Sequence, residues 1–193
     1  MHRSGLVRRA LTGKEPTGLH AVFKVLWEKT KGIPEDLLDK ITTTTIDIPS
    51  DKELRAFLTE ERSDSRVILP FILEEYERDF VKANKFDPAP RVAGTVEHIL
   101  PQNLSGDWKL EFSKDEHDAY VGLLGNLAPL TESQNKSVQD DPWKDKRKRF
   151  KGSNFKSTAN LYDNTEWKKL QIRERTEALT KWIISRWPDL SSI

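Results

Sequence analysis

Four residues carry the chemistry this sequence offers. Glu97 and His98 stand side by side in the run Val96-Glu97-His98-Ile99-Leu100-Pro101-Gln102. Further on, Leu124-Gly125-Asn126-Leu127-Ala128-Pro129-Leu130-Thr131 supplies an amide, and Asn135 supplies another. A carboxylate, an imidazole and two amides spaced this way can hold a divalent metal against a phosphate. Neighbouring residues on a regular strand point to opposite faces. Glu97 and His98 therefore converge on one site only where their strand ends or kinks, near Pro101.

The elements that must position these side chains can be read locally. Arg91 to Leu100 is expected as a strand, and Leu127 to Leu130 as its partner. Ser113 and Glu116 form a capping box that opens a helix through Tyr120 and Leu124, with Gly125 at its C-terminus. Thr131 and Gln134 form another, which puts Asn135 in the first turns of a helix. Trp143 and Phe150 anchor a strongly basic helix, and the last helix is expected from Thr165 to Trp187, burying Trp167, Leu170, Leu179, Trp182 and Ile183. The first half reads as a bundle of helices after a basic, turn-rich end, Met1 to Pro16, expected to be either loose or a segment cut from something longer. Its helical stripes are Leu19 to Trp27, a short helix after Pro34, Ser50-capped Leu54 to Leu58, and Ile68 to Phe80, with Pro70 tolerable only in a first turn. The four threonines Thr42 to Thr45 interrupt this pattern. Phe86-Asp87-Pro88-Ala89-Pro90 is the boundary between the halves. The expected class is α+β and mostly helical: a helical bundle region over residues 1–88, then residues 89–193, whose core is about 91–140 with C-terminal helices.

Composition narrows the possibilities. With 36% hydrophobic and 33% charged residues, the chain is globular rather than disordered. No apolar run is long enough to cross a bilayer, and Met1 to Lys14 lacks the apolar core of a signal peptide. The absence of cysteine excludes disulfides and Cys-ligated zinc, and suits a cytoplasmic location. Net charge is only +1, but it is unevenly spread. Asp51 to Phe80 carries nine acids against five bases, and Asp141 to Lys156 seven bases against two acids. Such asymmetry points to a polyanion met by one face.

Glu97-His98-Ile99-Leu100-Pro101-Gln102, Leu124-Gly125-Asn126-Leu127 and Asn135-Lys136 together resemble an HNH endonuclease motif in its His-Asn-Asn form. Ile48-Pro49-Ser50-Asp51, Phe71-Ile72-Leu73-Glu74, Ser157, Trp167 and Ile172-Arg173-Glu174-Arg175 are similar to the C-terminal region of GmrSD-type modification-dependent restriction enzymes, which include the phosphorothioation-sensing Ssp effectors. The resemblance covers nearly the whole chain and implies a ββα-metal nuclease core. It implies His98 as the general base, suited to that task by an unperturbed pKa of about 6.5. It implies Glu97 and Asn135 as metal ligands and Asn126 as the brace of the loop that orients His98. Oxygen ligands of this kind suit Mg²⁺, with Mn²⁺ or another divalent ion as a substitute. Asparagine rather than histidine at position 135 turns the preference away from zinc.

The implied activity is nicking or cleavage of double-stranded DNA by a restriction or anti-phage defence protein, with no membrane involved. Phosphate contacts are expected from Lys136, Lys144, Lys146, Arg147, Lys148, Arg149 and Lys151. For Arg175, phosphate and a core acid are equal alternatives. His117, among Asp115, Glu116 and Asp118, reads as a surface residue. The family's usual partner is an N-terminal NTPase domain that senses modified DNA. No Gly-rich phosphate loop occurs here, so that sensor is expected in a longer parent chain or a separate subunit. Two other readings share the motifs: a decayed DNA-binding or docking module, and an RNA-directed nuclease. Plasmid nicking with and without EDTA separates the first, and substrate competition the second.

Overall fold

The computed structural model describes residues 2–14, 48–87 and 94–189. The stripes expected from Leu19 to Thr45 and the prolines at 88 and 90 lie outside them. Two compact units divide the chain, Met1–Phe57 with Lys181–Ile193, and Leu58–Thr180.

In the first unit the described part of the basic end is largely helical rather than loose. His2–Leu11 forms helix α1, with Val7 and Leu11 buried. Arg8 is fully buried: its guanidinium donates to the carbonyls of Pro49 and Trp187, both at 2.8 Å, and lies 2.7 Å from Asp51. Helix α2 (Asp51–Glu60) starts at the expected capping box. The Ser50 amide donates to Glu53 at 2.8 Å, and the Glu53 amide to the Ser50 hydroxyl at 3.3 Å.

The second unit is built on a two-stranded antiparallel sheet. Strand β1 (Gly94–His98) pairs with β2 (Leu127–Thr131) so that His98 lies opposite Leu127 and Gly94 opposite Thr131. Pro129 can sit in β2 because a two-stranded sheet leaves one side of each strand without a ladder partner. Helix α3 (Leu69–Ala83) carries Pro70 in its first turn, where the missing N–H costs nothing, and packs on the sheet. The short helices α4 (Trp108–Glu111) and α5 (Lys114–Tyr120) follow β1. The Ser113–Glu116 capping box forms, but α5 ends at Tyr120. From there a turn and a single 3₁₀ turn, Leu124–Asn126, deliver the chain to β2. Helix α6 (Glu132–Val138) opens on the Thr131–Gln134 capping box, and α7 (Trp143–Phe150) is the basic helix. After α8 (Lys156–Ala159) comes α9 (Lys169–Arg186). This last helix begins later than expected. Trp167 precedes it, and Leu170 is 59% exposed, because the buried stripe is Ile172, Thr176, Leu179 and Ile183.

The core of this unit gathers Ile99, Leu100, Trp108, Phe112, Trp143, Phe150, Trp167 and Ile172, among others. Glu77 of α3 ties α8 to it. The carboxylate accepts from the amides of Lys156 at 2.6 Å and Ser157 at 2.8 Å, and from the Ser157 hydroxyl at 2.5 Å. A buried acid thus satisfies the orphan donors of a helix start. Glu77→Ala is expected to cost about 1.5–3 kcal/mol of stability, the range for hydrogen bonds to a charged group. Urea unfolding of the variant beside the parent checks this.

Candidate active site

Antiparallel pairing brings the chemistry-bearing segments together. Beyond His98 the ladder continues through Asn126, whose carbonyl accepts from the Ile99 amide at 2.9 Å. The Asn126 side chain is fully buried and uses every hydrogen-bonding position in pairs. Oδ1 accepts from the Leu100 amide at 2.7 Å and the Trp167 indole at 3.1 Å. Nδ2 donates to the carbonyls of Leu100 at 2.9 Å and Val121 at 2.8 Å. It therefore fixes the chain just after His98, as a brace inside the protein.

Two further groups hold the same turn. A Cβ at Gly125 would lie 2.1 Å from the Ile172 carbonyl oxygen, so only glycine permits this approach of loop and helix. Arg175 donates through Nη1 to the carbonyls of Gly125 at 2.6 Å and Leu127 at 2.8 Å. Burial depresses its pKa to about 10, against the raising influence of Tyr76. Neither alternative expected for Arg175, a DNA phosphate or a core acid, describes these contacts. Its head group clamps the backbone on both sides of Asn126.

Strand alternation sends Glu97 and His98 to different neighbours. The Glu97 carboxylate turns under α7, where the Lys146 ammonium lies 2.6 Å from Oε1 and also donates to the His98 carbonyl at 2.9 Å. Glu97 is 4% exposed and Lys146 not at all. Burial pushes the Glu97 carboxyl up and the Lys146 ammonium down, and the pairing of the two works against both shifts. His98 instead reaches Asp64, whose Oδ2 lies 3.2 Å from Nε2. Burial lowers the imidazole pKa, and Asp64 opposes that shift. Asn135, on α6, donates through Nδ2 to the Thr95 hydroxyl at 2.8 Å and the Val96 carbonyl at 3.1 Å. That leaves its Oδ1 without a protein partner among the described residues.

Glu97, His98 and Asn135 line one open cavity of about 440 Å³, together with Gln102, Gln139 and Asp140. Asn126 stands behind this wall. Among the described residues, no three or more His, Asp or Glu side chains come together as a metal cage. Among the donors at the cavity are the second Glu97 oxygen, Asn135 Oδ1 and Asp140, all hard oxygens. That set fits a cation that keeps most of its water, as Mg²⁺ does. Gln139 closes α6 with φ +32°, a conformation that side-chain-bearing residues seldom adopt.

The basic segment divides into two groups. Lys136, Lys144, Lys148 and Lys151 are exposed. Lys136 pairs with Glu132 at 2.6 Å, and Lys148 with Asp145 at 3.3 Å. Arg149 is about half exposed and pairs with Asp141 at 2.9 Å. Arg147 lies over the Tyr162 ring and donates to the Tyr162 carbonyl at 2.5 Å. Lys146 does not belong with the surface cations. It sits between Trp143 and Phe150 on the inner face of α7, with its charge spent on Glu97.

His117 is likewise no surface residue: it is 5% exposed, and its Nε2 lies 2.8 Å from the Pro101 carbonyl, which anchors the loop after β1. Sequence reasoning also passed over Asp64. No local signal marks it, since the contact joins residues 34 apart.

Two comparisons bear on this arrangement. The family model described as GmrSD restriction endonucleases, C-terminal domain, matches residues 48–182, which include every side chain of the site. No curated protein matches the chain.

Proposed function

The chain belongs to the C-terminal domain family of the GmrSD restriction endonucleases, and from that premise we propose that it is a metal-dependent HNH nuclease that hydrolyses phosphodiester bonds in double-stranded DNA. A restriction endonuclease is a hydrolase acting on DNA, so the substrate class and the enzyme class follow from membership. The observation that carries the finer reading is the shared cavity of Glu97, His98 and Asn135, with Asn126 locking the turn behind them.

Glu97 and Asn135 would hold Mg²⁺ or Mn²⁺ through oxygen. When bound, that ion polarises the scissile phosphate and stabilises the departing 3′ oxygen. His98, neutral because burial lowers its pKa, takes the proton from the attacking water. Lys146 keeps one Glu97 oxygen fixed and neutralises part of the buried charge. Modification sensing would reside in an N-terminal NTPase domain of a parent chain or in a separate subunit. Among the described residues no helix is long and apolar enough to cross a membrane.

The test is conversion of supercoiled plasmid across a titration of Mg²⁺ or Mn²⁺, with EDTA as control. Glu97→Gln and Asn135→Ala are each expected to shift the metal requirement upward while leaving DNA binding unchanged. A wild-type metal curve for both would remove them from the ligand set.

DNA contact falls to the exposed cations, which touch backbone and carry no sequence information. Replacing Lys144, Lys148 and Lys151 by alanine should flatten the slope of log K against log salt by up to about 3. Affinity should fall about equally on every sequence, modified or not. Fluorescence anisotropy across a salt series measures both effects, and an unchanged slope would place the DNA elsewhere.

A further inference from the structure

We propose that Asp64 is the positioning residue for His98, holding the imidazole proton on Nε2 so that the Nδ1 lone pair meets the attacking water. The inference rests on the reading of His98 as general base and adds the group that orients it.

Asp64 lies in the turn between α2 and α3, and its side chain is only 7% exposed, against 14% for His98. The carboxylate is fixed before it reaches the ring. Arg62 donates from Nε to Oδ1 at 3.2 Å and from Nη2 to Oδ2 at 2.5 Å. The turn is pinned in place by the Ser63 amide, which donates to the Gly122 carbonyl at 2.8 Å. Gly122 makes room for this arrangement, since a Cβ there would come within 2.7 Å of Arg62 Nε and 2.9 Å of Asp64 Oδ1.

An ionised carboxylate only accepts hydrogen bonds. Burial raises the Asp64 pKa, but the bonds from Arg62 and His98 outweigh it and leave the carboxyl below its ordinary value. The proton shared with Asp64 must then sit on Nε2 of a neutral ring. Asp64 is not among the residues that line the cavity, whereas His98 is. Among the described residues, Nδ1 makes no hydrogen bond. The edge of the ring away from Asp64 is therefore the one left to accept a proton from solvent.

The experiment is a long-range ¹H–¹⁵N correlation spectrum of the chain labelled with ¹⁵N-histidine, recorded where the rings are neutral, with His98→Gln identifying the His98 signals. The wild type is expected to show the Nε2–H tautomer at His98. In the isosteric variant Asp64→Asn, the amide can donate to Nε2, so the Nδ1–H form should appear. Plasmid cleavage by the same variant should show kcat lowered tenfold or more with KM unchanged, within the ~10²–10⁴-fold that a general base supplies. An Nδ1–H tautomer in the wild type overturns the proposal, as does a spectrum unchanged in Asp64→Asn. A tautomer change with unaltered kcat overturns its catalytic consequence. Should the wild type cleave nothing in any metal, the nuclease reading fails, while the spectra still decide whether Asp64 sets the tautomer.

Discussion

Replacing His98 by alanine is expected to slow DNA cleavage by about 10²–10⁴-fold and to leave the fold intact, because general-base catalysis is worth that much. The expectation rests on how little else the ring does. His98 ends β1, and its strand pairing and its carbonyl bond to Lys146 come from the backbone, which alanine keeps. Among the described residues its one side-chain hydrogen bond is to Asp64, which retains Arg62 as partner. The loss should therefore appear in rate and not in the unfolding midpoint. A cleavage rate within about tenfold of the parent would remove His98 from the role.

Lys146→Met should have the opposite signature, a loss of about 3–5 kcal/mol in stability, the range for breaking a buried ion pair by removing one partner. Methionine fills the space but leaves Glu97 buried with no counter-charge and the His98 carbonyl without its donor. Denaturant unfolding measures the loss. The double variant Lys146→Met with Glu97→Gln should recover part of it, since the uncompensated charge is then gone. Were Lys146 a surface phosphate contact, its removal would spare stability and change only DNA affinity and salt dependence. Lys148→Ala is the comparison: on the same helix but exposed, it should leave stability within about 0.5 kcal/mol.

What could be read from the sequence was mostly local. The capping boxes at Ser50, Ser113 and Thr131 form as expected because each is a reciprocal contact across three residues. The paired strands were legible because apolar runs bounded by Pro101 and by the Thr131 cap leave few other options. Lys146 was misplaced because six cations on and just past one short helix look like a solvated face. The spacing still held the answer: Trp143, Lys146 and Phe150 are i, i+3 and i+7, one buried stripe with a lysine in it. His117 has the same lesson, lying at i with Tyr120, Val121 and Leu124 at i+3, i+4 and i+7, all buried. Arg8 and Asp64 were beyond such reasoning. Arg8 is defined by carbonyls at Pro49 and Trp187, and Asp64 by a histidine on a strand. No periodicity within a helix or turn encodes contacts made across the fold.

We propose that this site hydrolyses DNA with water activated at His98. The most direct measurement is cleavage of a defined duplex in H₂¹⁸O with Mg²⁺ or Mn²⁺, the products weighed by mass spectrometry, for the parent chain and His98→Ala side by side. The expected result is 3′-hydroxyl and 5′-phosphate ends, one ¹⁸O on each new 5′-phosphate, product from His98→Ala formed about 10²–10⁴-fold more slowly, and none above background in EDTA. Product from His98→Ala at the parent's rate, or ¹⁸O carried on a 3′-phosphate, would contradict it.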